Sequence, residues 1–159
     1  MPLRIGTEMP LLDGATEWLK GSTEEALAEA KGRPVLIHFW SLSCGMCKDN
    51  LPRVVEWRDN YREAGLRLIA VHMPRYPADM DIKSVREAIS EYGITEPCAV
   101  DNEHKLRDAF HNEHGYVPAY YLFDQDHKLK GFAAGEYGVK VMEPALTRLL
   151  GVANVAQVG

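Results

Sequence analysis

Cys44 and Cys47 are separated by two residues in the stretch HFWSLSCGMCKDNLP, residues 38–52. They follow an apolar run and precede a segment with helical spacing. Only a thiolate attacks disulfides, and the first turn of a helix favours the anion. Backbone N–H groups there lack helical acceptors, and the helix dipole adds partial positive charge. A cysteine so placed titrates at about 7 or lower, against about 8.5 for a free one. This makes Cys44 the nucleophile. Cys47, one helical turn on, faces the same way; it can donate to the Cys44 thiolate and then attack a mixed disulfide formed there. A two-residue spacer lets the pair close and open with little backbone movement. The chemistry implied is thiol–disulfide exchange. Zinc binding competes with it, but zinc takes about four ligands and the sequence has no second CxxC or adjacent CxxH. Burial of both cysteines as small apolar residues is the other alternative. Cys98, the third cysteine, stands at a strand start and reads as buried and inert.

The elements that must hold this pair follow from hydrophobic spacing. Val35, Leu36, Ile37, Phe39 and Trp40 form a short run suited to a strand buried on both faces, as in a parallel sheet. Residues 45–64 have helical spacing, with Gly65 as the stop. Residues 67–73 read as a second buried strand, 74–80 as a loop, and 81–93 as a helix whose apolar face carries Val85, Ala88, Ile89 and Tyr92. Residues 97–100 suit a third strand and 103–111 a short helix. Residues 119–123 and 129–134 read as antiparallel strands joined by a turn at 124–127, and about 140–150 as a closing helix. Upstream, residues 1–21 form an N-terminal extension with one or two short strands. Ser22 and Glu25 then suggest a capping box for a helix over 23–31. The expectation is a single α/β domain over 1–159, with a central mixed β-sheet flanked by helices and a frayed tail at 152–159.

Composition narrows the function. An apolar fraction of 46% and a charged fraction of 26% are those of an ordinary globular protein. A net charge of −5 argues against nucleic acid as partner, which needs a concentrated basic surface. No apolar segment approaches the roughly 20 residues that cross a bilayer, and the N-terminus lacks the pattern of a signal peptide. Three cysteines make no disulfide framework. A cytoplasmic location is therefore expected, if the chain starts where the natural protein does.

The stretch FWSLSCGMCKDNLP resembles the active-site segment of the thioredoxin superfamily, in its TlpA/ResA-like branch. Residues 34–40 look like the strand before the active site, and Pro52 matches the proline that kinks the active-site helix. Val117-Pro118, opening AYYLFD, looks like the cis-proline loop, and residues 131–150 look like the closing strand and helix. The resemblance spans about residues 4–150 and includes the extra helix–strand insertion around 81–100 that marks this branch. It implies a thioredoxin-like fold and a thiol–disulfide oxidoreductase with no cofactor beyond a redox-active Cys44–Cys47 disulfide. Disulfide-containing proteins would be the substrates, with an unidentified electron donor and no bound metal. By position, Cys44 attacks and Cys47 resolves. Pro118 is cis, and Val117 offers its backbone to an extended client. Trp40 shields the disulfide and shapes the docking surface, with Gly45 and Met46 of the spacer beside it.

Several positions depart from the family pattern: Ser43 replaces a common Trp, Gly45-Met46 replaces a proline-containing spacer, and Asn50 stands where ResA-like members often carry an acid. His38 interrupts the apolar strand where thioredoxins bury an Asp. It reads either as a proton relay for Cys47 or as a hydrogen-bonded core histidine. His72 and Met73 frame the sheet, and His104, His111 and His114 are expected in solvent. Two functional alternatives stand: an extracytoplasmic reductant in cytochrome c maturation, if a signal or anchor was removed, and a non-catalytic metal-binding or interaction module. A peroxidatic cysteine is disfavoured, no suitable Thr/Ser-x-x-Cys motif being read.

Overall fold

The computed structural model describes residues 2–152. In chain order the elements are β1 (Glu17–Lys20), α1 (Thr23–Ala30), β2 (Val35–Trp40), α2 (Gly45–Asn60), β3 (Arg67–His72), a 3-10 turn (Pro77–Met80), α3 (Ile82–Glu91), β4 (Cys98–Val100), α4 (Lys105–Ala109), β5 (Ala119–Phe123), β6 (Leu129–Ala134) and α5 (Gly138–Leu150). The sheet has six strands in the order β1-β4-β3-β2-β5-β6. β2 runs parallel to β3, and β3 to β4; β1, β5 and β6 join antiparallel. The mixed α/β architecture is the one the strand and helix spacing implies. The frayed tail expected at 152–159 lies, apart from Val152, outside the described residues.

β2 is the axis of the sheet, and all six of its residues are buried. Alternation along a strand sends its side chains to opposite faces. Val35, Ile37 and Phe39 join a cluster with Leu12, Ala26, Ala30, Leu106 and Phe110, under α1 and α4. Leu36 joins Val54, Trp57, Met142 and Leu146, beneath α2 and α5. Trp40 joins Cys44, Cys47, Leu51, Val85 and Ile89, between α2 and α3. Each large apolar side chain so buried contributes about 1.5–3 kcal/mol, so the register of β2, which aims Trp40 at the cysteine pair, is strongly held.

Several boundaries differ from the periodicity. α2 stops at Asn60 rather than 64: the chain tightens through Tyr61–Gly65, with Leu66 N–H donating to Tyr61 C=O, and Gly65 takes φ 102°. α5 starts at Gly138, two residues before its expected start. The 74–80 loop contains a 3-10 turn. Ser22 accepts the Glu25 N–H at 3.1 Å, one half of the expected capping box. The N-terminal extension is integral to the sheet: β1 pairs with β4 at one edge, and Leu12 is 1% exposed.

Candidate functional site

The pair sits where β2 turns into α2. Cys44 is the N-cap of α2, with an extended backbone, and its Sγ accepts the Cys47 N–H at 3.0 Å. This is the orphan-donor geometry that stabilises a sulfur anion. Cys44 and Cys47 are joined as a disulfide. Cys44 is 4% exposed and Cys47 2%, while Met46 between them is 40% exposed. Gly45 is exposed as well.

The Val117–Pro118 peptide bond is cis. Val117 is half-buried and packs against the cluster that contains both cysteines. Among the described residues its backbone N–H and C=O enter no hydrogen bond, although β5 begins two residues on. The docking role expected of Trp40 needs correction. It is 1% exposed and packs beneath the pair, edge-on to His72 at 4.7 Å, so it supports the site from below and presents no surface.

His38 is buried, with Nε2 2.6 Å from Glu96 Oε2. Glu96, in the loop before β4, accepts from Arg58 Nη1 at 2.9 Å through its other oxygen. Burial pushes the Glu96 carboxyl up, but the bond to His38, its charge, and Arg58 outweigh it and hold the carboxyl at about 2. An ionised carboxylate only accepts, so His38 donates from Nε2 and leaves Nδ1 as its other proton site.

Three residues separate β2 from Cys44, and each is tied to the end of β3 or to the segment after it. Leu42 N–H donates to His72 Nε2 at 3.2 Å. Ser41 and Ser43 hydroxyls donate to Asp79 Oδ2 at 2.8 and 2.7 Å. The same oxygen accepts the backbone N–H groups of Arg75 and Tyr76. Burial raises the Asp79 carboxyl, yet these donors together hold it below the usual carboxylate range. Desolvation depresses His72 to about 4, with the Asp79 charge opposing, so its imidazole is neutral near pH 7 and free to accept from Leu42. His72 thus does more than frame the sheet. Ser41 and Cys44 have the Ser-x-x-Cys spacing, but the Ser41 hydroxyl is committed to Asp79.

Cys98 is wholly buried, and desolvation lifts its thiol to about 12, so it stays protonated. Strand order does not keep it apart, since it shares the cluster of Cys44 and Cys47; its protonation does. His104 is half-buried rather than in solvent, its Nε2 2.8 Å from Pro74 C=O. His111 and His114 are exposed. Among the described residues no three metal-binding side chains come together, and no helix is long and apolar enough to cross a membrane. Glu96, Asp79 and Arg75 were missed in the sequence. A buried acid beside an apolar strand was the available signal for Glu96, in the run ITEPCAV; Asp79 and Arg75 had none.

Residues 5–132 match the model of the AhpC/TSA family. The thiol-disulfide oxidoreductase YkuV of Bacillus subtilis is 46% identical over 149 residues, which cover 93% of this chain and 97% of that protein. The thiol-disulfide oxidoreductase ResA of Bacillus thuringiensis is 28% identical over 147 residues, covering 92% and 79%. A solution structure of a thioredoxin-like protein in its oxidised form aligns over 94% of this chain and 98% of its own, with a TM-score of 0.82 and 44% identity.

Proposed function

The chain belongs to the AhpC/TSA family, with a thioredoxin-like fold, and is a thiol–disulfide oxidoreductase; from that premise we propose that Cys44 attacks protein disulfides and Cys47 resolves the intermediate. In the reduced protein the Cys44 thiolate attacks one sulfur of the client disulfide. A new S–S bond forms, the client bond breaks, and the other client sulfur leaves as thiolate. Cys47 gives up its proton and attacks Cys44 Sγ. The mixed disulfide breaks, the second client thiolate departs, and the protein is left with the Cys44–Cys47 bond. The client gains two electrons, and an external dithiol must return them to the protein. No cofactor beyond the cysteine pair enters this exchange.

The observation that carries this reading is Cys44 at the α2 N-cap, its sulfur accepting the Cys47 N–H. Val117, with both backbone groups unengaged among the described residues, serves an extended client as an added strand would. Exposed Met46 supplies a flexible apolar contact. In its neutral form His38 donates to Glu96 through Nε2 and takes the Cys47 proton at Nδ1, and the imidazolium so formed is the charge that pairs with Glu96. A cytoplasmic location belongs to the same proposal, supported by a chain of three cysteines whose one pair is redox-active.

Cys47→Ser tests it. Incubated with a disulfide-bonded protein, the reduced variant should accumulate a Cys44-linked adduct that dithiothreitol releases, while the unsubstituted protein turns over. Absence of an adduct, with Cys44 alkylating no faster than a free thiol at pH 7, would refute the assignment.

A further inference from the structure

Arg75 lies three positions after the end of β3 and is exposed, yet its guanidinium is fixed. Nε donates to Ser43 Oγ at 3.1 Å and Nη2 to Ser43 C=O at 2.8 Å. The Tyr76 ring lies 5.7 Å from Cζ, within cation–π range. The Ser43 carbonyl carbon is bonded to the Cys44 nitrogen, so the guanidinium stands one peptide unit from the attacking residue. Arginine has five N–H donors in a rigid fork; Ser43 occupies two, and its partners are a hydroxyl and a carbonyl rather than a carboxylate.

Among the described residues no carboxylate bonds this guanidinium. Asp79 is 3% exposed, and its Oδ2 is saturated by Ser41, Ser43 and the N–H groups of Arg75 and Tyr76. Lys48 and Asp49, exposed near the start of α2, carry opposite charges. The solvent-facing charge next to Cys44 is therefore a preorganised guanidinium, and little side-chain entropy remains to be lost when it binds.

We propose that Arg75 is a specificity-determining residue that selects client disulfides with an acidic side chain within one or two positions of the attacked cysteine. The inference rests on the reductase reading above. A client sulfur in contact with Cys44 carries its sequence neighbours past Ser43, because consecutive residues are about 3.8 Å apart. A carboxylate there takes the remaining N–H donors of Arg75, charge to charge. The pair is exposed, so its effect is modest and salt-sensitive.

The experiment uses the reduced full chain and three peptide disulfides that differ only in the residue after the cysteine: Glu, Gln or Lys. Single-turnover rates at low salt should rank Glu above Gln above Lys, with about two- to fivefold between neighbours, the size of an exposed ion pair. In Arg75→Gln the ranking should collapse, as it should for the unsubstituted protein in 1 M salt. The readout is the ratio between peptides, so a general slowing from the lost Ser43 contacts does not enter it. Equal rates for all three peptides, or a ranking that survives in Arg75→Gln, would overturn the assignment while leaving the reductase reading intact. Reduction of none of the three would overturn both.

Discussion

Replacing Glu96 by Gln should destabilise the protein in a pH-dependent manner whose size and sign follow from one buried contact. Glu96 is 7% exposed and bonded to His38 and Arg58. Its carboxyl titrates at about 2 in the folded protein, against 4.5 for the unperturbed group. At about 1.36 kcal/mol per unit, that difference amounts to about 3 kcal/mol of stability at pH 7. The group is buried, so solvent screening removes little of it. Gln keeps the shape and can accept from Arg58, but its amide nitrogen faces the His38 N–H donor-to-donor, and the ionic part is lost. The folded-state value is depressed, so the folded protein binds this proton less readily than the unfolded chain. The stabilisation is complete above about pH 4.5 and disappears as pH falls toward 2. Urea unfolding of the oxidised proteins is the assay. With a slope of about 2 kcal/mol per molar, the Glu96→Gln midpoint should fall about 1.5 M below that of the unsubstituted protein at pH 7. The gap should shrink to about 1 kcal/mol by pH 2.5. A gap that is constant from pH 7 to 2.5, or none at pH 7, would refute the reasoning. Subtraction between the two proteins removes the other carboxylates, Asp79 among them, from the comparison.

His72, depressed to about 4 from 6.5, costs stability as pH falls: the unfolded chain takes up a proton below 6.5 that the folded imidazole refuses until about 4, a loss of about 3 kcal/mol in all. Thermal unfolding of His72→Phe should show a flatter pH dependence between 6.5 and 4, with lower stability at pH 7 from the unpaired Leu42 N–H. His38→Gln should slow release of the mixed disulfide about a hundredfold, near the low end of general-base effects, and change its pH profile in stopped-flow measurements. An unchanged profile would leave His38 as a brace between β2 and Glu96.

The reactive pair was readable because its signal is local. Cys44 and Cys47 lie three positions apart, and the apolar run of β2 followed by helical spacing puts them at a helix start. The same locality made β2, β3, β5 and β6 legible, their periods being printed in adjacent residues. Element ends were less so. Leu66 N–H returning to Tyr61 ends α2 early, a contact that periodicity does not record. Nor did the sequence indicate that Trp40 would be covered: α2 and α3 bury it, and burial depends on what packs above a residue.

By itself, then, the sequence determined the cysteine pair and the strand-to-helix junction that holds it, together with the mixed α/β order of elements. Only the tertiary structure decided what surrounds them: Glu96 against His38 across 58 positions, Asp79 against Ser41 across 38, and Arg75 against Ser43 across 32. The physical reason is that polar partners recur at no fixed spacing. Their strength comes from desolvation and pairing, which come into being only when distant segments close over the same point.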